Sequence, residues 1–409
     1  MLHAAAFLFY LPAVRAVVRA SGGAPEGAVR DHITVITAAA LFRIILLPAT
    51  PTLSDDIYRY IWEGRLQIEG VNPYRHAPSD PELIPYRDDV YERINNKELP
   101  AIYPPVMQWV FALGALPGRS PLIMKCLFVA ADLALIVALG ALLRASGLPA
   151  ARSLIYAWNP LAVMEVAGSG HNDPVALLFL VVCVVCVIGN RRAWSAVLLA
   201  LSALSKLYPI SLLPLFARRL RPAWLLLPPA MMAAAYLPYV SAGESLFRSA
   251  RQYAERWRSN DSIFAFMVWC AERSGLSPIL KRWCDGLGID SLYSQPHLMA
   301  REAAALIALG ALAWLGWRQW KSGQEPSRAI FLFTGLVLVL QPALHPWYLL
   351  WILPWLCLYP SPAWLLLTAL IPLAYLDAAW VRWVEYVPFY ALLAAGRVVE
   401  LPLTRRHVS

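Results

Sequence analysis

Charge is scarce in this chain: only 15% of its 409 residues are Asp, Glu, Lys or Arg, where a soluble protein carries about 25%. Set against 59% apolar residues and a mean hydropathy of +0.53, that shortage excludes an ordinary soluble globule. Long polar stretches are also missing outside roughly 51–103 and 241–299, which leaves no room for a separate soluble domain. There is no Gly-rich nucleotide loop and no cysteine framework for a metal. Cys126, Cys183, Cys186 and Cys357 lie inside apolar runs, so the C-x-x-C spacing of Cys183 and Cys186 reads as two small buried side chains. Cys270 and Cys284 share the second polar stretch and could pair as a disulfide in an oxidising compartment. The formal charge of +9 does not indicate nucleic acid, because the basic residues form no single patch.

What the chain has instead is apolar runs of membrane length. Ile33 to Thr50, Leu122 to Leu143 and Ala363 to Trp380 each match a hydrocarbon core of about 30 Å. The 17 Trp and 18 Tyr suit a protein with many interfacial positions. Six short segments are basic: 15–31, 144–152, 190–192, 217–222, 317–328 and 404–409. Together they hold fifteen Lys or Arg against three acids, Glu26, Asp31 and Glu325. Placing all six on the cytoplasmic side is the economical topology. It puts 51–103, Gly170 to Asp173, 241–299 and His345-Pro346 outside. It also requires that Pro104 to Pro117 not cross, and that 193–216 form a hairpin broken near Lys206-Leu207-Tyr208-Pro209. Met1 to Val14 reads as a short first span or interfacial helix rather than a removed signal. The expected fold is an all-α polytopic membrane protein of about 10–13 transmembrane helices, one domain over 1–409. No repeat relates its halves.

The polar functional groups collect on the outer side. In the first loop Ser54 is a helix N-cap ahead of a helical pattern from Ile57 to Gln67. Asp55 and Asp56 occupy its first turn, where acids stabilise a helix through its dipole. They also stand where a membrane-embedded substrate meets water, with Arg59 and Arg65 close behind. A carboxylate kept ionised by such neighbours can act as a general base, and the arginines can bind phosphate. Ionisable residues within apolar runs are costly and are functional candidates by default. For Arg43 and Asp132 an internal ion pair that fixes helix packing is the simpler reading. For Lys206 a role in a cavity is, because a broken helix in a membrane usually lines one. Glu165 lies near the outer end of its run. His171, Asp173 and His345 sit in tight outer turns, and their spacing supports no metal site. Arg248, Arg251, Arg256 and Arg258 fall on an amphipathic helix whose plain role is to meet solvent or headgroups. Asn260-Asp261-Ser262 has the form of a glycosylation acceptor.

Several blocks, taken in order, resemble bacterial glycosyltransferases of the GT-C superfamily. They are Leu53 to Arg65, Gly70 to Arg75, Ile102 to Pro105, Trp158 to Leu161, Glu165 to Asp173, Lys206 to Pro209 and Leu344 to Tyr348. The chain is most similar to mannosyltransferase-like members, including glycosyltransferase family 87 and the mycobacterial-type α-mannopyranosyltransferases. The resemblance implies an inverting transfer of a hexose, mannose first, from a polyprenyl-phosphate carrier to a glycolipid or glycan hydroxyl at the extracytoplasmic face of a bacterial plasma membrane. It implies a GT-C-type bundle whose first outer loop carries the base, which maps onto Asp55 or Asp56, with Asp55 first. It implies that no nucleotide is used directly; no cofactor is expected, with a divalent metal as the alternative. Arg59, Arg65, Tyr103, His171, Asp173, Lys206, Tyr208, His345 and Tyr348 are the residues that would hold substrate. Simpler members begin on the inner side, whereas an apolar segment here precedes the span leading to Asp55. A flippase or transporter for a lipid-linked sugar would need polar residues on both faces. An outer-face glycan ligase would rely on arginine and histidine in the late loop.

Overall fold

A computed structural model describes residues 2–19, 28–288 and 294–396. The basic residues Arg405 and Arg406, Glu26, and the end of the 387–401 run lie outside the described residues. The chain is all-α, and among the described residues its β pairing is one isolated parallel bridge between Ser259 and Ala343.

The longer helices, in chain order, are α1 (Leu2–Arg19), α2 (Ala28–Leu46), α3 (Asp56–Ile68), α4 (Pro105–Ala115), α5 (Pro121–Ala145), α6 (Asp173–Ile188), α7 (Arg192–Ser205) and α8 (Pro222–Tyr236). They continue with α9 (Arg248–Arg256), α10 (Ile263–Arg273), α11 (Leu276–Leu287), α12 (Pro296–Ser322), α13 (Ser327–Leu340), α14 (Pro362–Leu370) and α15 (Val381–Ala395). Among the described residues three helical runs are long and apolar enough to cross a bilayer alone: α5, Pro222–Arg256 and α12. At 1.5 Å per residue α12 reaches about 40 Å, more than the hydrocarbon core requires. Among the described residues the apolar helices α4, α6, α7, α13 and Pro362–Leu376 are shorter than a full span, and proline or polar residues break other apolar runs. The run 153–169 is the clearest case. Trp158-Asn159-Pro160 interrupts it, Asn159 caps the helix that follows through Leu161 N, and Met164–Gly168 winds as a π-helix.

One continuous apolar core unites α1 to α7 with the last third of the chain. One of its buried charges is paired inside it with a buried acid. Arg43 pairs with Asp132 and also donates to the carbonyls of Ala39 and Ala157, while Tyr156 Oη donates to Asp132 at 2.5 Å. The internal ion pair thus ties α2, α5 and the 154–157 turn together. Among the described residues Lys125 has no acid partner, and it donates to the carbonyls of Ala49 and Gly168.

Two of the six basic segments, 217–222 and 317–328, meet. Arg218 donates to the carbonyls of Trp320 and Lys321 and Arg219 to that of Gly323, so the 217–222 turn caps the basic C-terminal end of α12. All six cysteines are free, including Cys270 and Cys284. Cys183 is buried and donates to Ser195 O. Asn260, in the glycosylation-type sequence, is buried and donates to Glu385 Oε2 at 2.8 Å.

Candidate active site

Helix α3 begins at Asp56 with Asp55 rather than Ser54 at its N-cap, one residue later than a Ser54 cap would start it, and Ser54 Oγ accepts from Asp56 N at 3.3 Å. The helix packs its buried face, Ile57 to Gly64, onto α4. This turns Asp56 inward over a cavity of about 520 Å³. The cavity walls come from five places: the first turns of α3, the 95–104 segment, the Lys206–Tyr208 break, α9, and the stretch from Thr334 to Trp351. Residues far apart in sequence meet here, among them Asp56, Lys206 and His345, each at a helix end or break.

Asp56 Oδ1 accepts from Asn95 Nδ2 at 2.8 Å, and Asp56 Oδ2 lies 4.0 Å from His171 Nδ1. On its other side His171 Nε2 is 3.3 Å from Glu165 Oε2, and Tyr375 Oη donates to both Glu165 oxygens at 3.0 and 3.1 Å. A carboxylate–imidazole–carboxylate row therefore runs from the cavity wall into the protein. Burial raises the Asp56 pKa above the ordinary carboxylate value, with the Asn95 hydrogen bond and the Lys206 charge opposing it. Burial, helped by the Lys206 charge, holds the His171 pKa well below the usual imidazole value.

Lys206 sits at the break after α7, where its own backbone is extended. Its ammonium pairs with Asp173, whose Oδ1 also accepts from Trp351 Nε1 at 2.6 Å. An ammonium has three donors, and the one acceptor named for it leaves capacity toward the cavity it lines. The rings beside it form a platform. Trp347 is stacked between His171 and His345, at centroid distances of 4.0 and 4.5 Å, and Tyr348 meets His345 edge-on. Burial and the nearby Lys206 lower the His345 pKa to about 4. Tyr103 pairs its hydroxyl with Tyr60 at 3.1 Å, and Tyr208 with Thr334 at 2.7 Å.

The structure brings Asp56, Arg59, Tyr103, Lys206, Tyr208, His345 and Tyr348 to the cavity wall. His171 and Asp173 stand directly behind it, each touching a lining residue. Asp55 is exposed and does not line the cavity. Arg65 faces away, donating to Tyr86 O and Asp88 Oδ2. Arg59 lines the cavity but is fully engaged. It pairs with Glu63 at 2.6 Å and donates to the carbonyls of Asn96 and Leu99, a clamp on the 95–99 segment that leaves little for a phosphate.

Sequence reasoning missed Asn95, Trp347 as the central ring of the stack, and the α9 face of Ser249, Tyr253 and Trp257. Tyr253 Oη bonds Tyr348 Oη at 2.5 Å and Ser249 Oγ donates to Pro100 O, so α9 closes the cavity while its arginines point elsewhere. The spacing of Ser249, Tyr253 and Trp257, four residues apart, was the available signal. Among the described residues one group could converge on a cation, His76, Asp80 and Glu82, and it does not line the cavity.

Fold and site together define an all-α membrane protein with a polar, aromatic-walled cavity. The chain belongs to the alpha-(1->6)-mannopyranosyltransferase family, whose N-terminal domain it matches over residues 2–220. That match includes Asp56, His171, Asp173 and Lys206; the walls from α9 and His345 to Trp351 lie beyond it. The chain is also similar to a probable alpha-(1->6)-mannopyranosyltransferase of Mycolicibacterium smegmatis, 24% identical over 377 residues covering 79% of this chain. It spans 64% of that relative's length. No solved structure matches it.

Proposed function

We propose that the protein is a polyprenyl-phosphate-sugar-dependent mannosyltransferase, acting as one multi-pass domain with its cavity at the extracytoplasmic face. The observation that carries this reading is the convergence of Asp56, Lys206 and the His171–Trp347–His345 stack on one cavity, in a chain of this family. An acceptor hydroxyl oxygen attacks the anomeric carbon, Asp56 takes the hydroxyl proton, and the bond from that carbon to the phosphate oxygen breaks. The carrier phosphate leaves as an anion beside Lys206, whose charge is worth most in a site shielded from water. The His345 ring, backed by Trp347, offers a flat wall for a pyranose face. An inverting route to an α-mannoside requires a β-linked donor.

The face is supported by charge. The segments that build the cavity, 51–104, 170–173 and 341–348, are those the positive-inside pattern places away from the basic turns. We assign the charge neutralisation to Lys206 and no metal or organic cofactor to the step; chelation by EDTA then leaves the rate unchanged.

The test is direct. Purified protein is given a short-chain polyprenyl-phosphate β-mannose with labelled mannose and an α-mannoside acceptor, and the product linkage is read by α-mannosidase digestion and NMR. The reading requires label in a new α-linked product. Label that stays on the carrier across a panel of acceptors and lipid-linked sugars would overturn it.

A further inference from the structure

The sequence places 241–299 outside the bilayer as a polar loop, yet its centre is apolar. Helices α10 and α11 have 11 and 12 residues, each too short to cross a membrane. Together they carry the length and apolarity of a span, but they are bent by 75° at the Ser274–Gly275 break. Gly275 takes φ +67° there, a left-handed conformation that allows the sharp turn.

Along α11 the residues Leu276, Ile279, Leu280, Trp283 and Leu287 recur at i, i+3, i+4, i+7 and i+11, a single apolar stripe. Lys281, Arg282 and Asp285 occupy the opposite side. None of the residues of α11 is buried, and Trp283 and Leu287 are each 68% exposed. Helix α10 buries Phe264 and Val268 against Ala300 of α12 and leaves Phe266 and Trp269 outward. The pair therefore presents apolar surface that the described residues do not cover.

Its position identifies the occupant. Helix α10 is seated on the first turns of α12, a helix long enough to span, at the end opposite the basic cap formed with Arg218 and Arg219. The root of the pair is fixed to the cavity wall by the Ser259–Ala343 bridge and, through α9, by the Tyr253–Tyr348 hydrogen bond. Cations flank the apolar face: Arg273, which lies 4.8 Å over the Trp269 ring, with Lys281 and Arg282. A membrane-level anchor, an apolar stripe edged with tryptophan and a cationic rim match the chemistry of phospholipid, with acyl chains below and phosphates above.

We propose that α10 and α11 form a re-entrant hairpin embedded in the leaflet nearest the cavity, with the α11 stripe covered by lipid acyl chains and its cations at the phosphate level. The hairpin enters and leaves on the same side. Lipid contact at α11 is thereby mechanically joined to α9 and the Tyr348 wall. The inference is independent of the transfer reading.

The test uses the full chain, with its six cysteines replaced, in vesicles of phosphatidylcholine and phosphatidylglycerol. A bimane fluorophore is placed at Trp283→Cys or, on the opposite face, at Lys281→Cys. The hairpin predicts that acyl-chain nitroxide lipids quench the label at 283 several-fold more than at 281, and that aqueous iodide does the reverse. Iodide reaching both positions equally would overturn it in favour of a solvated loop. Protection at 283 that ignores nitroxide lipids and grows with protein-to-lipid ratio would overturn it in favour of a second copy of the chain. An impermeant maleimide on Arg251→Cys and Gln295→Cys in oriented vesicles labels both from one side if the hairpin re-enters. Labelling from opposite sides would mean a full crossing and sink the proposal.

Discussion

Asp55 and Asp56 are adjacent in the chain, but only Asp56 lines the cavity, receives the Asn95 hydrogen bond and faces His171. Asp56→Asn is expected to lower the transfer rate by about 10²–10⁴-fold, the usual worth of a positioned base, whereas Asp55→Asn leaves it within a few fold. The pH profile carries a further sign. Burial raises the Asp56 pKa, so activity is lost as pH falls at a higher pH than for an ordinary carboxylate. The Asn95 hydrogen bond favours the ionised form, so Asn95→Ala moves that acid limb to still higher pH. A limb that stays in place or moves down contradicts the assignment. Lys206→Met is expected to reduce kcat by about 10²-fold, as for loss of one charge-stabilising group, and steady-state kinetics with a soluble donor analogue measures it. The acidic pair, Lys206 and both outer histidines were legible in the sequence because ionisable groups in an apolar chain stand out. Which aspartate faces inward was not, since it depends on where α3 starts relative to α4. Nor could the spacing show that Arg59 is consumed by Glu63 and the carbonyls of the 95–99 segment.

Close approach of helices sets the frame that holds those residues. At Gly64 an added Cβ would collide with the Phe111 carbonyl of α4, which is backbone and cannot rotate away. Gly64→Ala is therefore expected to destabilise the protein by about 1–3 kcal/mol, the usual cost of overpacking, seen as a lower melting temperature in detergent. The Arg43–Asp132 pair is buried on both sides. Arg43→Leu alone strands a buried carboxylate and is expected to cost about 3–5 kcal/mol, while the double change Arg43→Leu with Asp132→Leu recovers much of it. Equal melting temperatures for the single and double variants would show that the pair is not coupled. The sequence identified the pair as a packing device and located the break at Lys206. It did not foresee that 153–169 divides at Asn159-Pro160 and ends in a π-helix, because hydropathy averages over such breaks. The α10–α11 bend was hidden for a related reason: neither half has the length by which a span is recognised.

Across the whole molecule, membrane class and family follow from composition and ordered motifs, and both agree with the helical fold and the family match over residues 2–220. The cavity itself is a long-range product. It joins residues near 56, 95, 206, 253 and 345, separations that local patterns do not encode. The central claim is that this cavity moves mannose from a polyprenyl-phosphate carrier with Asp56 as base. Its most direct measurement follows labelled mannose from a short-chain carrier with the wild type, Asp55→Asn and Asp56→Asn proteins side by side, each checked for its melting temperature. The account predicts transfer by the wild type and by Asp55→Asn, and its loss in a folded Asp56→Asn protein. Transfer retained by Asp56→Asn, or lost only in Asp55→Asn, would contradict it.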